Sequence, residues 1–127
     1  MDLSNTLMEA LGISITSLEE DMVVMTMPVD ERTHQPAGFL HGGANVALAE
    51  TAASIGAYQH VDAETYNVFG IEINANHMKS KREGTVTARA QPLHKGKRTM
   101  VWDIKITDEQ DQLICVSRCT ISIVPKR

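Results

Sequence analysis

The 127-residue chain has no uncharged apolar run approaching the ~18 residues that cross a bilayer, so no membrane span is expected. It has no basic excess either. Twelve Lys and Arg stand against sixteen Asp and Glu, for a net charge of −4. A nucleic-acid binder normally carries a basic face or stripe, so that class of partner is not expected. A small anionic ligand remains compatible, because a local basic cluster can sit on an acidic whole. The opening Met1-Asp2-Leu3-Ser4-Asn5 lacks the basic flank and apolar core of a signal peptide, which makes the cytoplasm the expected compartment. Cysteine is scarce: only Cys115 and Cys119, four apart in one apparent strand. At ~3.3 Å per residue they stand roughly 13 Å apart, beyond the ~7 Å that a disulfide tolerates. Both read as reduced core thiols. No second pair of ligands stands at zinc spacing, and neither metal nor cofactor is expected. Linkers, repeats and composition breaks are also missing, so residues 1–127 read as one domain.

What is present is a clear succession of periodicities. Ser4 to Gly12 reads as a short helix with a Ser/Asn start and a Gly stop. Ile13–Thr16 and Asp21–Val29 form a hairpin, followed by an irregular polar stretch from Asp30 to Gly38. Gly43 to Tyr58 is rich in Ala and free of Pro, and it is apolar almost all round, the mark of a buried helix. From Asn67 onward the chain alternates: Asn67–His77, Thr85–Ala90, then Met100, Trp102, Ile104 and Ile106 on one side, then Leu113, Cys115, Ser117, Cys119, Ile121 and Ile123 as a last inward row. Turn signals at Glu83-Gly84, Lys95-Gly96-Lys97 and Asp108–Asp111 separate these strands as hairpins. The class is α+β, an antiparallel sheet wrapped around one long helix. Such a sheet leaves edge strands uncovered, and pairing them between subunits predicts at least a dimer.

Within the helix one charge stands out. Glu50 shares a face with Ala47 and Ser54, and no Lys or Arg stands at i±3 or i±4. Desolvating a carboxylate in such a surface costs several kcal/mol unless something compensates. Either a backbone donor or solvent meets it, or it is kept for general-base or nucleophilic work. Just upstream, His41-Gly42-Gly43 leads into the helix, so Gly42 and Gly43 would present free N–H groups at its positive end. That arrangement suits a developing oxyanion, although glycines there also serve as simple caps.

The run from Gln35 to Glu50, with His41-Gly42-Gly43 and Glu50 seven residues beyond the second glycine, closely resembles the signature of hotdog-fold acyl-CoA thioesterases. The match is to the branch with a helix-borne glutamate, which includes the 4-hydroxybenzoyl-CoA and 1,4-dihydroxy-2-naphthoyl-CoA thioesterases. Thr26–Asp30, Gly70–His77 and Pro92–Arg98 resemble the same group, so the likeness covers nearly the whole chain. The resemblance implies that Glu50 activates water or attacks the thioester carbonyl itself, and that the Gly42 N–H holds the carbonyl oxygen. It implies that Gln35 and His41 orient the thioester and that Ser54 helps place the water or the carboxylate. It further implies a homodimer, or a homotetramer built as a dimer of dimers, with each active site shared by two subunits.

A CoA substrate needs cations for its phosphates. Lys79, Lys81 and Arg82 with Ser80 form one basic cluster; Lys95, Lys97 and Arg98 with His94 and Gly96 form another. By themselves such clusters are solvated loop ends. The resemblance implies CoA contacts from Arg82, His94, Arg98, Lys79, Ser80 and Gly96. Two other readings use the same pocket. A β-hydroxyacyl thioester dehydratase would pair His41 or His34 with Glu50, but Asp30–His34 departs from the hydratase signature. A non-catalytic acyl-CoA binder would show no turnover. The strongest likeness is to the dihydroxynaphthoyl-CoA enzymes of menaquinone biosynthesis, which points to an aromatic acyl-CoA, with a broad thioesterase of short or aromatic acyl groups close behind.

Overall fold

The computed structural model describes residues 1–127. Its elements are α1 (Leu7–Leu11), β1 (Ser14–Glu19), β2 (Met22–Val29), α2 (Gly42–Tyr58), β3 (Tyr66–His77), β4 (Gly84–Lys95), β5 (Thr99–Thr107) and β6 (Leu113–Pro125). The kinds of element and their order match the sequence reading; the ends at Val29, Tyr58 and His77 coincide, and others are displaced by one or more residues. The first helix is shorter than expected. Thr6 is its N-cap residue, and no side chain there makes the capping bond; the Thr6 hydroxyl donates to Leu3 O instead. Gly12 ends it in the left-handed region at φ 74°. A Cβ there would also press on the Pro28 ring and the Arg32 guanidinium, so glycine is required on both counts.

All five strand pairings are antiparallel, in the order β1-β2-β4-β5-β6-β3. β1 and β3 are therefore the edges. Alternation along the strands sends one row inward: Val23, Met25 and Met27 from β2, Val86, Ala88 and Ala90 from β4, and Met100, Trp102, Ile104 and Ile106 from β5, all buried. α2 crosses this face. Its small residues let the backbone approach closely: Ala49, Ala52 and Ala53 are fully buried, and a Cβ added at Gly56 would stand 2.6 Å from the Trp102 ring. Removing Trp102 to Ala would open a cavity beneath the helix at a cost of about 3–5 kcal/mol.

One row departs from expectation. Ile114 and Cys115 are both buried while Leu113 is 37% exposed, because the β5–β6 register shifts between Ile106 and Thr107. Leu113 thus leaves the inward row that Cys115, Ser117, Cys119 and Ile121 keep. Both cysteines are free thiols. No helix is long and apolar enough to cross a membrane.

Candidate active site

The irregular stretch after β2 is a compact strap that delivers His41 to the start of α2. Thr33, buried, donates its hydroxyl to Pro28 O at 2.9 Å. His41 N–H donates to Thr33 O at 2.8 Å and Leu40 N–H to Lys81 O at 2.8 Å. The His34 ring nitrogen Nε2 meets Arg82 O at 2.8 Å. These bonds give the backbone of Thr33, Leu40 and His41 partners within the strap and with the Lys81–Arg82 segment.

At the helix start the expectation of two free N–H groups needs correction. His41 is the N-cap residue, and its Nδ1 accepts the Gly43 N–H at 2.7 Å. Only the Gly42 N–H donates to nothing within the chain. The capping bond also fixes the neutral His41 tautomer, since Nδ1 must be bare and Nε2 must carry the proton. Across from Gly42 lies His77, at the end of β3. A Cβ added at Gly42 would stand 2.9 Å from its Nε2, so glycine is needed for the ring to lie there. These groups border a cleft of about 330 Å³ lined by Leu40, Gly42, Asn45, His77, Met78, Lys79 and Ser80.

Glu50 sits two turns further along α2, half-buried, with no hydrogen bond or ion pair inside the chain. Its carboxylate lies against the backbone of Gly70 in β3. A Cβ at Gly70 would collide with Oε2 and stand 2.9 Å from Cδ. The strand has a bulge here, its register with β6 shifting between Gly70 and Glu72. The only mark of this contact in the sequence is a glycine inside a strand, the usual sign of a bulge or close approach. Cys119 on β6 senses the same carboxylate: burial first, then the charges of Glu50 and Glu72, push its thiol up to about 12. That thiol is no nucleophile near neutral pH.

Glu50 and Ser54 line one cleft of about 500 Å³, with Val46, Ala47, Thr51, Ile55 and Tyr58 from α2 and Leu7 and Met8 from α1. Its wall is mostly apolar, so a carboxylate in it is desolvated when the cleft fills. Ser54 makes no hydrogen bond of its own in the chain, whereas the Thr51 hydroxyl is taken by Ala47 O at 2.6 Å.

The remaining anticipated site residues divide. Gln35 is turned onto its own loop, its amide oxygen accepting from the Ala37 N–H. The Arg82 guanidinium lies 4.2 Å over the Phe39 ring. Lys79 is engaged by Asp108 at 3.5 Å and by Gln112, and Lys81 by Glu109 at 2.6 Å. His94 packs on Gly96, while Arg98 O accepts the Ile123 N–H at 2.8 Å. These two basic clusters flank β4 at opposite ends, roughly 36 Å apart at ~3.3 Å per residue. No single phosphate can touch both in one subunit.

The thioesterase superfamily model matches residues 37–115, from the strap through Gly42, Glu50 and Gly70 into β6. The chain belongs to the thioesterase superfamily. This thioesterase is 54% identical over 95% of its length to the 1,4-dihydroxy-2-naphthoyl-CoA hydrolase of Listeria monocytogenes, 98% of which is covered. It is 48% identical over 90% of its length to the enzyme of that name from Escherichia coli, 83% of which is covered. Among solved structures it resembles a mutant thioesterase from Pseudomonas aeruginosa, with TM-score 0.95 and 41% identity over 98% of this chain and 89% of that one. With a thioesterase of Haemophilus influenzae the TM-score is 0.92, at 46% identity over 97% of this chain and 85% of that one. The fold is the hotdog thioesterase fold, and the protein is an enzyme that hydrolyses acyl-CoA thioesters.

Proposed function

We propose that this thioesterase hydrolyses an aromatic acyl-CoA, 1,4-dihydroxy-2-naphthoyl-CoA first among them, at a site completed between two subunits. The observation that carries the reading is the placement of Glu50. Its carboxylate is unpaired in an apolar cleft, yet eight residues of helix separate it from the one free N–H at Gly42. At 1.5 Å per residue that is roughly 12 Å along the axis, too far for both to act on one thioester in one subunit.

Edge strand β3 offers the remedy. Phe69 and Ile71 on it are 55% and 60% exposed. Two such edges related by a twofold axis pair antiparallel. The His77 end of one subunit, with its Gly42 N–H, then meets the Tyr66 half of the partner strand, close to the partner's Gly70–Glu50 contact. The same operation carries the Lys79–Arg82 cluster of one subunit toward the His94–Arg98 turn of the other, because that turn lies at the Tyr66 end of β3. Separated clusters within a chain thus become one CoA-binding rim across the dimer, a dimer that can pair again as a tetramer.

In the reaction, Glu50 takes a proton from a water held beside it by the Ser54 hydroxyl. The water oxygen bonds to the thioester carbon, and the carbonyl electron pair moves onto oxygen, held by the Gly42 N–H of the other subunit. His41, through its Nε2–H, and Gln35 orient the thioester. Collapse breaks the C–S bond, and the departing CoA thiolate takes the proton from Glu50, leaving free acid and CoA. Nucleophilic attack by Glu50, with an anhydride that water then opens, uses the same geometry; a single turnover in ¹⁸O-water separates the two by whether label enters the carboxylate. The cleft size falls in the ~300–1,000 Å³ range of small-molecule sites, and its apolar wall with hydroxyls at Ser54 and Tyr58 suits a flat hydroxylated ring. The two free, buried thiols fit a cytoplasmic enzyme.

The test is thiol release from a panel of aromatic and aliphatic acyl-CoAs, with Glu50→Gln beside wild type. Aromatic substrates should lead in kcat/KM by at least about tenfold, roughly 1.4 kcal/mol of transition-state discrimination. Glu50→Gln should lower kcat at least ~10²-fold with the melting temperature unchanged or raised. A Glu50→Gln protein within a few-fold of wild type refutes the mechanism. Enoyl product without thiol points to the dehydratase instead, and equal rates across the panel refute the aromatic preference.

A further inference from the structure

Asn45 sits in the first turn of α2, 3% exposed, and its amide oxygen has no hydrogen-bond partner in the chain. A buried acceptor left unpaired costs about 1–3 kcal/mol, so a reason for its presence is needed. The other end of the amide supplies one. Nδ2 lies 3.4 Å from Nδ1 of His77. With the amide in this orientation its nitrogen faces the ring, and because an amide nitrogen only donates, this orientation makes His77 Nδ1 the acceptor and leaves the proton of the neutral ring on Nε2. That Nε2 has no partner of its own, and it is the atom 2.9 Å from where a Gly42 Cβ would stand. A Cβ lies ~2.5 Å from its own backbone nitrogen, so His77 Nε2 and Gly42 N are at most roughly 5.4 Å apart. Two donors that each approach one oxygen at ~2.8 Å can be as much as ~5.6 Å apart. The two unpartnered N–H groups are therefore close enough to share an acceptor.

We infer that Asn45 is a positioning residue: its amide holds His77 in the tautomer and orientation that put the Nε2–H beside the Gly42 N–H, so that both donate to the thioester oxygen as it becomes negative. The inference rests on the hydrolysis proposed above and adds a second donor and its support to the single N–H assigned there. Two converging donors are worth more than one because each is fixed before charge develops. Gly42 completes the logic from the other side, since any larger residue would push the ring away.

Long-range ¹H–¹⁵N correlation on wild-type protein at a pH where the ring is neutral reads the tautomer directly. A bare Nδ1 and protonated Nε2 at His77 are expected, and a proton on Nδ1 overturns the inference whether or not any variant folds. Asn45→Ala should lower kcat about tenfold with KM nearly unchanged, because the lost interaction belongs to the transition state. Its melting temperature should hold or rise, as the unpaired acceptor goes with the side chain. His77→Phe keeps the ring volume without the N–H and should lower kcat about 10²-fold. The double variant should be no slower than His77→Phe alone, since Asn45 acts through His77. Either single variant within twofold of wild type in kcat, or additive losses in the double, overturns the inference. Glu50→Gln in the same series separates the two levels: if it turns over normally the hydrolysis mechanism fails, and if only it loses activity the positioning inference alone fails.

Discussion

Replacing Gly70 by Ala adds one carbon at the point where β3 and the Glu50 carboxylate touch. The new Cβ would overlap Oε2 and stand 2.9 Å from Cδ and 3.1 Å from Cγ, whereas ordinary contacts begin near 3.4 Å. The carboxylate must retreat by about 1 Å, a displacement that can cost ~10²-fold in rate when it misplaces a reacting group. The fold should absorb the change far more easily. Glu50 is half-buried on a flexible side chain, Gly70 does not have a positive φ, and Gly is the weaker strand residue by roughly 0.5–1 kcal/mol. Thiol release under saturating acyl-CoA should therefore fall about 10²-fold, about 2.7 kcal/mol in activation free energy, while the melting temperature moves by no more than a few degrees. Adding Glu50→Gln should produce little further loss, because both changes act on one group. Full activity in Gly70→Ala would refute the claim that this contact sets the carboxylate. So would losses that multiply in the double variant.

The cross-subunit site predicts complementation. Mixed dimers of Glu50→Gln and Gly42→Ala subunits contain one site with both native groups, so refolded equimolar mixtures should regain about a quarter of wild-type activity; no recovery would place both groups in one subunit. Arg82→Ala and Arg98→Ala should raise KM more than they lower kcat, and less so for a thioester lacking the nucleotide; equal effects on both substrates would make these arginines structural, Arg82 through its stacking on Phe39. Cys119 gives a pH prediction. Its folded value, about 12, lies above the ~8.5 of an unfolded thiol, so its contribution is complete below ~8.5 and declines as pH rises toward 12. Cys119→Ala should flatten that alkaline loss in denaturant titrations, and an unchanged slope would show that the thiol already ionises in the fold.

The sequence by itself determined the alternating strands and the buried helix, and it singled out the candidate groups for the chemistry. These are local matters: a two-residue period, an alanine-rich run and an unpaired carboxylate are visible without knowing where the chain goes. Glu50, as an unpaired carboxylate, and the Gly42 N–H at the helix start stand out in that way, whereas roles for His41 and Ser54 come only with the family resemblance. Tertiary structure decided what those residues meet. That the His41 ring consumes the Gly43 N–H depends on the strap bonds of Thr33 and Lys81. That Gly70 clears space for Glu50 depends on a strand bulge pressed against a helix twenty residues earlier in the chain. Asn45 and His77, 32 residues apart, carry no mark of their pairing in sequence. Two basic clusters that look alike in the sequence proved to stand at opposite ends of β4, because strand length rather than residue type sets that distance. Composition and period are written in neighbouring residues, whereas distances between elements follow from how the sheet is ordered and how closely the helix lies on it.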